Sequence, residues 1–167
     1  TFAPDGVTLA VGGQDQKVAL YDVATGDVRW ERERDNWVTT VAFAPGASTL
    51  AVGGGDKKVA LYDVATGDVR RELERGGKVR TVAFAPDGLT LAVGRLDGGL
   101  GRDNKVALYD VATGGVRYEL ERKYLVRTVA FAPDGLTLAV GDDDRKVYLY
   151  DVATGDVRHE LERDGPV

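Results

Sequence analysis

Bulky and small apolar residues alternate along short segments of this chain. Between residues 38 and 44, Val41 and Phe43 fall on one side of an extended segment, and Ala42 and Ala44 fall on the other, because successive side chains of a strand point to opposite faces. No apolar period of about 3.6 residues is sustained, so the pattern predicts strands and essentially no helix. The strands predicted in this stretch are Val38–Ala44, Thr49–Val52, Val59–Asp63 and Val69–Arg75.

The same succession of segments returns four times. Phrases close to KVALYDVATGDVR and to FAPDG recur, the first from Lys17, Lys58, Lys105 and Lys146, the second from Phe2, Phe43, Phe84 and Phe131. These phenylalanines are 41, 41 and 47 residues apart. The glycines and prolines of Ala-Pro-Asp-Gly and Ala-Thr-Gly-Asp suit tight turns. Short strands separated by such turns, repeated at this spacing, are typical of an all-β fold.

Three strands of each repeat are apolar on both faces, bulky on one and small on the other. Such a sheet fits between two copies of itself, because bulky side chains of one copy fill the space over the alanines of the next. The fourth strand, which begins at Val69 in the second repeat, alternates charges and suits an outer edge. This predicts a β-propeller of four-stranded antiparallel blades. We expect one segment over residues 1–167, with four blades at about 1–34, 38–75, 79–122 and 126–163.

Along its whole length the chain resembles the WD-repeat family of β-propellers. The resemblance rests on the repeat period, the FAPDG turn, LAVG and YDVATG, in which Tyr-Asp stands where the family usually has Trp-Asp. The family's turn aspartate matches Asp15, Asp56, Asp103 and Asp144. The Gly-His pair that often precedes the first strand in the family is replaced by Asn36-Trp37, Gly77-Lys78 and Tyr124-Leu125. The resemblance implies the fold, and the family's histidine network is not carried over.

The number of blades bears on assembly, since WD-type rings usually hold about seven or eight. Thr1 corresponds to Ala83 and Val167 to Val79 in the repeat, so the chain looks cut from a longer array. The absence of methionine fits a fragment or a processed product. Uncovered end blades would expose apolar surface, so we expect two chains to close one eight-bladed ring as a homodimer. A self-closed four-blade ring and a segment of a bigger chain are the alternatives.

Composition narrows the classes of partner. A net charge of −5, with acidic and basic residues interleaved, argues against a nucleic-acid partner. The chain has no cysteine, which excludes disulfides and thiolate metal sites. No apolar run approaches the roughly 18 residues of a membrane helix, so we expect no membrane partner. No targeting segment is visible, and the compartment is left open, with the cytoplasm slightly favoured.

The copies differ most in two connections, one before the first strand and one between the second and third strands. By resemblance both lie on the top face of the propeller, as does a six-residue insertion between Gly94 and Lys105. Exposed Trp, Tyr and Arg often anchor interfaces, so we expect a protein or peptide to bind there, although loops also vary more than cores for no functional reason. Trp37 has a second interpretation, as a packed residue between blades. The candidate residues are Asn36, Trp37, Lys78, Arg80, Arg95, Leu100, Arg102, Tyr124, Leu125 and Arg127.

No catalytic, cofactor or metal site is expected. His159 is the only histidine, and no serine stands beside a base. In the run Asp142-Asp143-Asp144, adjacent carboxylates of an extended turn seldom converge on calcium, so we expect Asp144 to serve the turn and the others to be solvated. A single GGLGRD segment cannot form a stacked calcium repeat. One outer-strand position is expected to hold rim residues without a role, namely Trp30, Arg71, Tyr118 and His159.

These observations favour a non-enzymatic protein-binding scaffold that presents a rigid top face to a protein or peptide. The alternative is a self-assembling repeat module without a specific ligand, either designed or recently amplified, whose partners are copies of itself. The near-identity of the four copies motivates that alternative. An enzyme would need convergent polar residues near the central channel, where the inner strands supply mainly Val, Ala, Phe and Thr.

Overall fold

Fifteen β-strands and no helix make up the part of the chain that the computed structural model describes, residues 1–74, 76–96 and 104–163. Within those ranges no helix is long and apolar enough to cross a bilayer. The predicted all-β class is confirmed. In the second repeat the observed strands end within one or two residues of the predicted ones.

The strands form antiparallel sheets in which neighbours along the chain pair with each other. The first sheet has the order β1 (Thr8–Gly12), β2 (Lys17–Asp22) and β3 (Val28–Glu33), and Phe2 forms a single bridge with Leu9 beside β1. The second sheet has the order β4 (Val38–Phe43), β5 (Thr49–Gly54), β6 (Lys58–Asp63) and β7 (Val69–Glu74).

The remaining two sheets repeat the four-stranded order. The third holds β8 (Lys78–Phe84), β9 (Thr90–Leu96), β10 (Asn104–Asp110) and β11 (Val116–Arg122). The fourth holds β12 (Val126–Phe131), β13 (Thr137–Asp142), β14 (Lys146–Asp151) and β15 (Val157–Glu162).

The chain divides into two compact units, residues 1–79 and residues 80–167. In the first unit, the first and second sheets share a core that includes Leu20, Leu50 and Tyr62. Val38 packs closely against Gly12, since a Cβ added to this glycine would be only 2.3 Å from Cγ1 of Val38. Ala10 and Ala60 are buried in the same core, so small and bulky residues pack together in this unit.

The second unit is built in the same way. Its core contains Leu108 and Leu138, together with Val140. A Cβ on Gly94 would be 3.0 Å from Cγ1 of Val126, so a small residue again faces a bulky one.

The turns that follow β2, β6, β10 and β14 explain why an aspartate recurs at the end of each of these strands. In the first sheet, Oδ1 of Asp22 accepts hydrogen bonds from the backbone N–H groups of Ala24 and Thr25. Gly26 takes a φ of 77°, a left-handed conformation that favours glycine. Nη2 of Arg29 lies 2.7 Å from Oδ2 of Asp22. The aspartate thus fixes the turn and orients an arginine of the next strand.

Candidate binding edge and the arginine contacts between sheets

Two connections meet at one edge of each sheet because neighbouring strands run antiparallel. They are the connection before the first strand and the connection between the second and third strands. In the second sheet Gly55 N donates to Trp37 O at 3.0 Å, and in the fourth Asp143 N donates to Leu125 O at 3.1 Å. We call this edge the loop edge of a sheet. The most variable connections of these two sheets therefore lie side by side.

The loop edge of the first unit holds a solvent-facing indole with close neighbours. Trp37 is 43% exposed, and Lys78 Nζ lies 5.0 Å from the centre of its ring. The backbone N–H of Trp37 donates to Oδ1 of Asn36 at 2.9 Å. A Cβ at Gly55 would lie 2.5 Å from that oxygen and 2.7 Å from Nε1 of Trp37. The structure thus brings Asn36, Trp37 and Lys78 together, around a position that only glycine fits without displacement.

The predicted residues of the second unit are placed less closely together. Tyr124 is exposed, and the centre of its ring lies 5.4 Å from Lys123 Nζ, while Leu125 is half-buried. Arg127 is engaged by Asp143, with its Nε 2.6 Å from Oδ1 and its Nη2 2.9 Å from Oδ2. The other predictions are distributed as follows: Arg80 is exposed in β8, Arg95 is half-buried in β9, and Leu100 and Arg102 lie outside the described residues.

A buried arginine links the two sheets of the first unit. Arg34 follows β3, yet its side chain lies against the second sheet. Its Nη2 is 2.5 Å from Oδ2 of Asp56, and both side chains are almost completely buried. Its Nη1 donates to the hydroxyl of Tyr62 at 3.3 Å. The last arginine of the outer strand therefore joins its own sheet to the next.

The second unit repeats this contact with additional partners. Arg122 ends β11, and its Nη1 donates to the hydroxyl of Tyr150 at 3.0 Å. Its Nε and Nη2 donate to Oδ2 of Asp142 at 2.8 and 2.7 Å. Asp144 Oδ2 lies 3.7 Å from Nη2 of Arg122, and the ring of Tyr148 lies 3.3 Å below the guanidinium. Arg122, Tyr150 and Asp144 occupy the same repeat positions as Arg34, Tyr62 and Asp56.

The prediction that Asp142 is solvated is wrong. Its side chain is fully buried, because it fills the space beneath Arg122. Asp143 is bound by Arg127, and Asp144 accepts hydrogen bonds from Lys146 N at 2.9 Å and from the hydroxyl of Tyr148 at 2.5 Å. No group of three or more potential metal ligands converges anywhere in the described ranges.

Ionisation at this buried contact follows from burial and hydrogen bonding. Burial and the neighbouring Asp144 raise the pKa of Asp142. Despite its own partial burial, Asp144 has a lowered pKa because of hydrogen bonds with Asp142 and Tyr148. Despite burial, hydrogen bonds to Tyr148 and Asp142 raise the pKa of Arg122, which keeps the cation at the centre of the cluster.

The prediction that Trp30 and Tyr118 are rim residues without a role is also wrong. Trp30 is only 7% exposed, its ring centre lies 5.7 Å from that of Tyr62, and its Nε1 donates to Val64 O at 2.9 Å. The hydroxyl of Tyr118 donates to Ala153 O. Both residues reach from an outer strand onto the following sheet. For the contacts of Arg34 and Arg122, the signal in the sequence was different: an arginine stands at the end of the outer strand in all four copies.

Antiparallel sheets that stack through a recurring arginine, with one turn chemistry repeated in each, define a repeat protein of the β-propeller class. The family model described as outer membrane protein assembly factor BamB matches residues 14–166. The chain therefore belongs to this family. A comparison with curated proteins finds no match.

Proposed function

We propose that this chain is a non-enzymatic scaffold that binds a protein or peptide at its loop edges. The observation that carries the proposal is Trp37, a large aromatic side chain that is exposed and held in place. Asn36 fixes its backbone, Gly55 leaves room for its indole, and Lys78 lies beside its ring. Tryptophan and arginine dominate the residues that contribute most to protein interfaces.

The fixed position of Trp37 favours binding, because a side chain that is already ordered loses little conformational entropy when a partner covers it. The ammonium group of Lys78 adds a positive charge next to the apolar ring. We therefore expect a ligand segment with an apolar side chain for the indole and a carboxylate for the lysine. The family to which the chain belongs carries the description of an assembly factor, which supports a role in binding other proteins.

Selection of peptides on the immobilised protein tests the proposal. A random peptide library is displayed on phage, and enriched peptides are measured by fluorescence polarisation against wild type, Trp37→Ala and Leu136→Ala. Leu136 is the matched control, since it is exposed and apolar but lies in the turn between β12 and β13, away from the loop edge. We expect Trp37→Ala to weaken binding by about tenfold or more, and Leu136→Ala to leave it unchanged. Equal affinities for all three proteins, or no enriched peptide, would contradict the proposal.

We also infer that the repeats are of the WD type. The turn aspartates support this assignment, because Asp56 Oδ1 accepts from Lys58 N at 3.3 Å, and Asp144 Oδ1 accepts from Lys146 N. The second candidate function is a module that associates with copies of itself. The exposed apolar residues Val11 of the first sheet and Leu161 of the fourth sheet favour it.

A further inference from the structure

In the described residues an arginine contact between sheets occurs twice, and each time the two sheets supply different residues. The preceding sheet supplies the arginine that follows its outer strand. The following sheet supplies a turn aspartate and a tyrosine hydroxyl. This arrangement occurs once in each unit, around Arg34 and around Arg122.

The first sheet has a turn aspartate and a tyrosine at the same repeat positions, and they line an open cavity. Asp15 and Tyr21 stand at the repeat positions of Asp56 and Tyr62, and together with Val11 and Gly13 they line a cavity of about 290 Å³. Its turn is already formed, because Asp15 Oδ1 accepts from Lys17 N at 3.3 Å, the same distance as in the second sheet.

The exposure of this sheet shows that the described part of the chain leaves it uncovered. Val11 is 45% exposed, whereas its counterpart Val52 in the second sheet is completely buried. Asp15 is exposed and Tyr21 is half-buried, whereas Tyr62 is buried.

The fourth sheet has the corresponding arginine after its outer strand. Arg163 follows β15 and stands at the repeat position of Arg34 and Arg122. Its backbone N–H donates to Arg145 O at 2.7 Å, just as that of Arg34 donates to Gln16 O at 2.7 Å, so both arginines leave their sheets at the same point. Leu161 on the same strand is 47% exposed, whereas its counterpart Leu120 is 7% exposed.

We propose that the fourth sheet of one copy of this chain docks on the first sheet of a second copy, with Arg163 of the one bound to Asp15 and Tyr21 of the other. The occupant is a second copy because the two surfaces are complementary in charge, and because they repeat the contact that Arg34 and Arg122 make within the described residues. The contact is heterologous because it joins different sheets of the two copies, and in the proposed dimer each copy makes it once with its fourth sheet and once with its first sheet. The inference does not rest on binding at the loop edge, which is read out separately by the peptide assay.

A charge exchange tests the docking. Asp15→Arg places two arginines at the junction, and Arg163→Asp places two aspartates there, so each variant repels its own copies. When the two variants are mixed, one junction pairs the new arginine with the new aspartate and the other keeps the original pair. We expect the wild type at twice 17.9 kDa by light scattering, each variant alone at 17.9 kDa, and the mixture restored to the double mass.

Lys57→Asp is the matched control, since it removes an exposed positive charge of the second sheet that takes no part in the proposed contact. It should keep the mass of the wild type. Circular dichroism checks that every variant retains its strands, and Asp15→Asn with Arg163→Gln replaces the pair if a charge reversal disturbs folding. A wild type of 17.9 kDa at all concentrations, variants with the wild-type mass, or a mixture that stays at 17.9 kDa would overturn the proposal.

Discussion

The two tryptophans of this chain lie in opposite environments, and their replacement by alanine should have very different effects on stability. Trp30 is 7% exposed between two sheets, whereas Trp37 is 43% exposed at a loop edge. A buried aromatic side chain removes about 150–250 Å² from water, which at about 25 cal/mol per Å² amounts to about 4–6 kcal/mol. Measured losses for Trp→Ala in cores are about 3–5 kcal/mol. Trp30→Ala also leaves Val64 O without its indole donor, at a cost of about 1 kcal/mol.

We therefore expect Trp30→Ala to lower the free energy of unfolding by about 4 kcal/mol, and Trp37→Ala by about 1 kcal/mol or less. Urea unfolding followed by circular dichroism measures both values, and the dependence on urea concentration shows whether the variants unfold in the same way. The tryptophan emission of each variant gives an independent check, since Trp30 alone should emit at shorter wavelength than Trp37 alone. Equal losses for the two variants, or a loss below about 1 kcal/mol for Trp30→Ala, would refute the packing described above.

Two further predictions concern charge. Arg122→Ala leaves the carboxylate of Asp142 buried without its arginine and should lower the free energy of unfolding, measured in urea, by about 3–5 kcal/mol. Arg127→Ala breaks the more exposed pair with Asp143 and should lower it by about 1 kcal/mol or less. Similar losses for the two variants would contradict the burial of Asp142. Hydrogen bonds from its arginine and threonine partners lower the pKa of Asp110 from 3.8 to about 2. Its ionised form therefore stabilises the fold above about pH 4, and this contribution is lost as the pH falls through about 2, so the unfolding midpoints of wild type and Asp110→Asn should converge over that range; a constant difference would contradict the shift.

The strand pattern of this chain was predictable because alternation of bulky and small residues is a local property of the sequence. Val41 and Phe43 face one way along β4, and β4 forms where the alternation lies. The turns were equally accessible, since proline, aspartate and glycine act on their own backbone.

The contacts between sheets were not predictable in the same way. An arginine at the end of a charged strand has the same local pattern whether it points to solvent or onto the next sheet, so the sequence predicts only that the fourth strand suits an outer edge. Asp142 stands where the first two repeats have Gly13 and Gly54. Its burial depends on the arginine above it, which is distant in sequence. Whether a partner binds at Trp37 stays a prediction.

The arginine contact has a consequence for how such an array lengthens or shortens. Each repeat carries the inserting residue at its end and the receiving aspartate and tyrosine within its own sheet, so the two halves of the contact are inherited together. A duplication that adds one repeat adds one arginine together with one turn aspartate and one tyrosine, and a deletion of one repeat removes the same three residues. A change in the number of repeats therefore keeps this arginine, aspartate and tyrosine in matching numbers.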